Sequence, residues 1–223
     1  MRAFRYLAAA AAAVAAATAL GSPARADDPI AVLTTDAVGG PNVAVGDVLT
    51  ASIIAGTTAD FATASGGTTG VKCAVSSFTA TVVDNPPAPG TALESTTAQT
   101  FSSCTANIFG VTGVGSVVVN NVPFATAVDG TTGAVAVTGT DAAPIQTTLR
   151  LNTILGAVTC VYRANGNAIA GTAGAGESSI AFANQQFNKF SGPITCPANG
   201  FFTARYSPIL DTTVPETPAV FTN

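Results

Sequence analysis

The side chains in this sequence that could do acid–base chemistry are carboxylates, because the chain of 223 residues contains no histidine. The usual Ser–His and Cys–His nucleophile pairs are therefore excluded. Paired carboxylates are the remaining route, as in glycoside hydrolysis, and a carboxylate-dependent hydrolase stays as a second alternative. The candidates lie beside Pro, Gly or Thr in segments that read as loops, where ordinary turn residues are expected: Asp84, Glu94, Asp129, Asp141 and Glu177. We predict no catalytic residue and a protein that is not an enzyme.

A lysine nucleophile and a bound metal are both weakly supported. Lys189 lies two positions before Ser191, but closeness in sequence is a poor sign of a Ser–Lys pair, and an exposed loop lysine is expected. Calcium needs several closely spaced oxygen ligands, and the chain has no Asp-x-Asp-x-Asp run. We therefore expect neither a metal nor a cofactor.

The four cysteines are best explained as disulfides. A zinc site requires close ligand pairs and usually histidine, and neither is present. Four cysteines allow three pairings, and an internal duplication selects one of them: Cys73 with Cys104, and Cys160 with Cys196. Each bond would close a loop of about 30 residues and contribute about 3.5 kcal/mol in the chain-entropy account.

The duplication rests on two segments, Cys73 to Phe109 and Cys160 to Phe202. Each contains Cys, then Gln-x-Phe, then Cys-x-Ala-Asn-x-Phe. The glutamines are Gln99 and Gln185, and we expect both to hydrogen-bond the backbone near a disulfide, with Phe101 and Phe187 packed in the core.

Alternation with a period of two predicts strands and gives no sign of long helices. Ile145, Thr147, Leu149 and Leu151 would share one face, as would Leu49, Ala51 and Ile53. Turn-forming residues separate such runs. The prediction is an all-β, antiparallel β-sandwich of residues 27–209, built from duplicated halves of about 27–122 and 123–209, with tandem small sandwiches as the alternative. Residues 210–223 form a proline-containing extended tail, either mobile or laid along a sheet edge.

The N-terminus predicts export. Arg2 and Arg5, a run from Leu7 to Leu20 and Ala24-Arg25-Ala26 form a signal peptide of residues 1–26. The separated arginines favour the general export route, with the twin-arginine route kept open. The remaining five basic and twelve acidic side chains give a net charge of −7, which argues against nucleic acid as a partner. No basic amphipathic helix points to a membrane partner after cleavage.

Polar residues near the second cysteine pair could bind a glycan or a peptide. The candidate binding residues are Tyr162, Arg163, Gln185 and Asn188. The preferred reading is a secreted, extracellular, non-enzymatic structural or interaction protein, with the glycan- or peptide-binding module as the alternative. Only 9% of residues are charged, which weakens protection against edge-to-edge strand pairing. Self-association, or a place in the cell wall or extracellular matrix, is therefore expected.

The segments C-V-Y-R-A-N-G-N-A-I-A-G and N-Q-Q-F-N-K-F-S-G-P-I-T-C carry a family resemblance. They resemble a group of uncharacterised secreted proteins of actinobacteria that are labelled only by an export-signal domain, the Tat pathway signal sequence. The resemblance extends to G-D-V-L-T-A near Gly46 and F-T-A-T-V near Phe78. It implies an exported location and carries over no catalytic residue.

Overall fold

The computed structural model describes residues 29–223. The predicted signal peptide, residues 1–26, lies outside the described residues. Within the described range the chain forms strands, joined by turns and one short 3-10 turn at Asn165–Asn167, and no helix is long and apolar enough to cross a membrane. The strands are β1 (Leu33–Thr35), β2 (Val48–Ile53), β3 (Ala59–Ala62), β4 (Gly70–Asp84), β5 (Thr91–Ala106), β6 (Val111–Asn120), β7 (Phe124–Asp129), β8 (Ala134–Thr138), β9 (Gln146–Thr153), β10 (Gly156–Ala164), β11 (Ala168–Ala173), β12 (Ile180–Ser191), β13 (Asn199–Asp211) and β14 (Val220–Thr222).

The period-two pattern of the sequence determines which side chains are buried. In β9 and just before it, the predicted inward residues Ile145, Thr147, Leu149 and Leu151 are all buried. The intervening Arg150 and Asn152 are exposed. Successive side chains of a strand point to opposite faces, so this alternation confirms the predicted half-buried strand.

The strands form a closed sheet, where a sandwich of two sheets was expected. Eight antiparallel strands pair in the cyclic order β2–β4–β5–β7–β8–β11–β12–β13 and back to β2, and we call this ring the barrel. Register shifts interrupt the ladders in β4, β5, β12 and β13. Bulges bend a strand and increase its twist, which allows the sheet to curl until β2 meets β4. The all-β antiparallel class is thus confirmed, and the architecture is a barrel.

Four strands, β4, β5, β12 and β13, are long enough to continue beyond the barrel. Beyond the barrel, β4 and β13 pair with β3, and β12 pairs with β10, from which the sheet continues through β9 to β6; we call this part the extension. It ends at β6, which lies beside β5, yet no ladder of hydrogen bonds joins the two in the part of the chain that is described. Strands of both predicted halves therefore share one sheet, and the duplication itself stays a prediction.

Both disulfides lie in the extension and confirm the predicted pairing. Cys73 of β4 bonds Cys104 of β5, and Cys160 of β10 bonds Cys196 in the loop before β13. Such bonds persist in oxidising compartments, so the chain folds in one.

The first and last strands of the described chain meet over one end of the barrel. β1 and β14 form a two-stranded antiparallel sheet, which we call the terminal ribbon. The Asn223 side chain holds it by donating to the carbonyl of Ala31, 3.0 Å away, and to Oγ1 of Thr34, 2.9 Å away. Leu33 and Val220 pack into the core. In the tail of residues 210–223, the first two residues belong to β13 and Val220–Thr222 form β14. The tail is therefore paired near both of its ends.

Candidate functional site

A cavity lies inside the barrel where it meets the extension. Most of its lining is apolar, and seven phenylalanines contribute to it: Phe61, Phe78, Phe101, Phe124, Phe182, Phe187 and Phe202. The polar lining consists of Glu94, Thr96, Gln99, Thr126 and Thr147. Cavities lined by apolar and aromatic side chains with a few converging polar groups are the usual form of small-molecule sites.

The cavity can hold a small organic group. Its volume is about 70 Å³, which is room for on the order of five waters at roughly 10–15 Å³ each.

Aromatic contacts fix the shape of the wall. Phe61 meets Phe101 edge to face with 5.0 Å between ring centroids, and Phe101 meets Phe202 in the same way at 6.0 Å. Phe202 also lies 6.1 Å from Phe182. Pairs of this geometry add to the stabilisation gained from burial alone, so the rings form a rigid surface.

Glu94 is the one ionisable group in the lining. It is only 6% exposed, and its carboxyl makes no hydrogen bond or ion pair with any residue between 29 and 223. Burial without a compensating partner disfavours the charged form and raises the pKa of Glu94 to about 7. The expectation that Glu94 lies in a loop is wrong, because it lies in the middle of a paired segment of β5.

A β-bulge turns Glu94 inward. Thr79 pairs with Ala98 and Ala80 with Thr96, so Thr97 is an extra residue in β5. Gln99 lines the cavity on one side of this bulge. Without the extra residue, the period of two would carry the inward face to Leu93. With it, Glu94 faces the interior and Leu93 is 43% exposed.

At Leu93 and Glu94 the bulge reverses the usual pattern of apolar residues inside and charged residues outside. A one-residue change of register moves every side chain of a strand to the opposite face, so the bulge exchanges an apolar residue for an acid inside the core. Bulges that re-aim a side chain are common beside functional sites. The sequence T-A-L-E-S-T-T gives no sign of it, and for that reason sequence reasoning missed this site.

A polar cluster borders the same cavity. The Tyr206 hydroxyl lies 2.8 Å from Oγ of Ser76, and Nε2 of Gln99 donates to both oxygens, at 2.9 Å to Tyr206 and 3.0 Å to Ser76. Burial raises the pKa of Tyr206 despite these bonds. The prediction that Gln99 bonds the backbone near a disulfide is therefore wrong, since its partners are side chains on β4 and β13.

The four predicted binding residues are engaged within the fold. Tyr162 is buried, and its hydroxyl donates to the Pro197 carbonyl at 3.0 Å. Burial raises the pKa of Tyr162 to about 12. Gln185 accepts from the Ala170 amide and donates to the Ala183 carbonyl, both at 2.7 Å. These are backbone bonds of the predicted kind, although they lie on β11 and β12 and not beside a disulfide.

Arg163 and Asn188 face each other across β10 and β12. The guanidinium carbon of Arg163 lies 3.4 Å above the centroid of the Phe190 ring, and its Nε donates to Gln146. The Asn188 amide donates to Asn165 at 3.1 Å. The polar groups of both residues are therefore used by neighbouring side chains.

None of the other candidate carboxylates lines the central cavity with Glu94. Asp84 and Asp129 end β4 and β7, and Asp141 lies in a turn. Glu177 forms an exposed ion pair with Arg205 and, together with Glu94, lines a smaller cavity under the terminal ribbon. The Thr132 hydroxyl and the Thr132 and Thr131 amides donate to Asp129 and lower its pKa. Among residues 29–223, no group of three or more cysteine and acidic side chains could hold a metal ion.

A second buried carboxyl, that of Asp211, lies at the end of β13. Oδ1 accepts from the Thr213 amide at 2.9 Å, while Oδ2 is buried without a hydrogen-bond donor. Burial, reinforced by the nearby carboxyl of Asp47, raises the pKa of Asp211.

One end of the extension carries exposed apolar side chains. Phe109, Leu155 and Ile194 are 102%, 90% and 96% exposed, and Ile154 is 73% exposed. The Ile154 amide donates to the Gly110 carbonyl, which brings the β5–β6 loop beside the β9–β10 turn. The loop with Ile194 leaves β12 toward the same end, because Ser191 pairs with Val161 in the antiparallel β10–β12 ladder. We call this surface the apolar end.

Comparison with protein-family models, with curated proteins and with solved structures finds no match.

Proposed function

We propose that this protein is a secreted, non-enzymatic interaction protein that binds a small, largely apolar molecule in the barrel cavity. The observation that carries the proposal is the inward-facing, unpartnered Glu94 in a wall of phenylalanines. A buried acid without a partner costs free energy. A chain selected only for stability would place Leu93 inside, as strand alternation without the bulge would do.

The lining supports binding more than catalysis. Glycoside hydrolysis by two carboxylates requires both within about 5–9.5 Å of each other around the substrate. The lining of the central cavity includes a single carboxylate, and its remaining polar groups are hydroxyls and one amide. Glu177, which lines the smaller neighbouring cavity with Glu94, is held in an ion pair with Arg205. A single acid in an aromatic wall is suited to recognising one polar group of a bound molecule.

Export is supported by the oxidised cysteines and by the predicted signal peptide of residues 1–26. Mass spectrometry of the secreted protein tests it, because cleavage after Ala26 should leave a chain that begins at Asp27. A place in the cell wall or matrix remains part of this proposal.

NMR spectroscopy with benzyl alcohol tests the cavity. The expected result is a set of saturable amide shifts centred on cavity-lining positions such as Thr96 and Thr126, with smaller shifts elsewhere. Val119→Phe fills the cavity and should abolish them. Val118→Phe is the matched control, because Val118 is the neighbouring residue and is 46% exposed. Equal binding by the two variants, or shifts confined to the surface, would contradict the proposal.

The apolar end favours a second candidate function, association with another copy of the chain. Its loops, of residues 107–110, 154–155 and 192–198, contain no charged residue, and exposed apolar groups of this kind mark interaction surfaces. Among the described residues the barrel ring has no free edge, and the large sheet is unpaired along one side of β5 and β6, so loop contacts are a better route than strand addition. Sedimentation at increasing concentration should show a dimer that Phe109→Ser with Leu155→Ser abolishes. Val45→Ser, which changes an exposed valine elsewhere, should leave the dimer intact.

A further inference from the structure

We infer that the molecule bound in the barrel cavity is an organic ammonium ion, a primary amine on a small apolar body. This inference rests on the proposed function and specifies its ligand. It follows from the polar groups in the lining, from the aromatic wall and from the size of the cavity.

The polar groups in the lining are acceptors to a greater extent than donors. The Glu94 carboxyl has no partner in the described chain. The Gln99 amide uses its Nε2 on Ser76 and Tyr206, and its Oε1 accepts no hydrogen bond from the described residues. The hydroxyls of Thr96 and Thr126 lie 2.7 Å apart and bond each other. An ammonium carries three N–H donors and is therefore suited to satisfying these two unused acceptors.

The charge of the lining determines the sign of the charge that a ligand can carry. Glu94 is the sole ionisable residue in it, and no Lys or Arg contributes. A carboxylate or phosphate ligand would therefore lie beside a like charge with no counter-ion, which is strongly unfavourable in a desolvated site. An ammonium would instead form a charge-assisted hydrogen bond with Glu94, which is roughly twice as strong as a neutral one.

The aromatic wall supports the same choice. The faces of phenylalanine rings attract cations, and rings arranged as a cage are a known means of recognising organic ammonium groups. Phe78 lines the central cavity together with Glu94 and also lines a smaller cavity under the terminal ribbon. Phe182 and Phe124 complete the wall on the barrel side. The apolar body of the ligand then fills the space between these rings and Phe202.

Three molecules of similar size and different charge test the inference by calorimetry or NMR titration. They are benzylamine, benzyl alcohol and benzoate, used near pH 8, above the Glu94 pKa of about 7. We expect benzylamine to bind roughly tenfold or more tightly than benzyl alcohol, since a charge-assisted bond replaces a neutral one. Benzoate should not bind detectably.

Glu94→Gln gives the decisive comparison, with Asp141→Asn as a control that makes the same charge change on an exposed loop. Glu94→Gln should weaken the binding of benzylamine by roughly tenfold or more and leave the affinity for benzyl alcohol nearly unchanged. Asp141→Asn should alter neither affinity. A carbon NMR signal for the Glu94 carboxyl of the unmodified protein provides a second readout that needs no variant. Benzylamine should shift this signal and lower the pKa of the carboxyl.

The outcomes separate the two proposals. If benzyl alcohol binds but Glu94 does not increase the affinity for benzylamine, the inferred ligand class is wrong and the cavity function stands. The same holds if benzoate binds as tightly as benzylamine. If none of the three binds, both are overturned.

Discussion

The phenolic oxygen of Tyr206 lies 2.8 Å from Oγ of Ser76, although 130 positions separate the two residues in the sequence. Both side chains are buried, and the Gln99 amide donates to both oxygens. This contact links β13 to β4 and β5 across the interior of the barrel. It also fixes the Gln99 side chain at the cavity wall, so the cluster is both structural and a support for the site.

Tyr206→Phe should therefore destabilise the protein by about 2 kcal/mol, because it removes a hydroxyl shared by two buried polar groups. Urea unfolding at constant pH measures the change. Tyr162→Phe is the matched control. It removes a single bond to a carbonyl, and we expect a loss of about 1 kcal/mol. A loss for Tyr206→Phe no greater than that of the control would show that the cluster contributes little.

Glu94 should make the stability of the protein depend on pH. The folded-state pKa is about 7 and the ordinary value is 4.5, so the folded state holds its proton more firmly than the unfolded state. The contribution of Glu94 to stability is then greatest below pH 4.5 and is lost as the pH rises through about 7, by about 3 kcal/mol in total. Glu94→Gln should lose this dependence. Urea unfolding at several pH values checks it, and parallel curves for the two proteins would contradict the account.

Asp211→Asn should stabilise the protein near neutral pH by about 1 kcal/mol. The asparagine side chain keeps an oxygen that accepts from the Thr213 backbone amide. It also replaces Oδ2, a buried acceptor without a donor, with an NH2 group. It also removes the repulsion with Asp47. Because the raised pKa makes the charged form costly, the gain should shrink as the pH falls. Thermal unfolding measures it, and exposed Asp84→Asn should change little. A clear loss of stability in Asp211→Asn would mean that its charge is compensated in the fold.

Removing either disulfide should cost about 3.5 kcal/mol, from the entropy of the loop that each closes. The sequence separations of 31 and 36 residues are similar. The double variant Cys73→Ala with Cys104→Ala should therefore lose about as much unfolding free energy as Cys160→Ala with Cys196→Ala. Cys73 and Cys104 pair directly within the β4–β5 ladder, whereas Cys196 holds a loop. Hydrogen exchange should therefore show local opening of residues 192–198 only in the second variant. Opening there in both variants would count against this assignment.

The parts of the fold that follow from local chemistry could be predicted from the sequence. Ile145, Leu149 and Leu151 alternate with polar residues, and the repeated motif around the cysteines selects the observed pairing. Closure into a barrel could not be predicted, because it depends on bulges that bend long strands and leave no fixed sequence signal.

The candidate site was missed for the same reason. Glu94 follows Leu93, and ordinary alternation would bury the leucine. The face that Glu94 occupies is set by the extra residue Thr97, whose effect is visible only in the pairing of β5 with β4. Violations of local patterning are expected at functional sites, and Tyr162 and Gln185, which looked available for binding, prove to be used by the fold.

The ionisation of Glu94 tests the central claim most directly. A carbon NMR titration of its side-chain carboxyl, in the free protein and with benzylamine added, measures the pKa in both states. The account predicts a midpoint of about 7 in the free protein and a clearly lower midpoint with benzylamine bound, since an adjacent cation favours the charged form. A midpoint near the ordinary 4.5, unchanged by benzylamine, would show that Glu94 is solvated and that the cavity does not bind as described.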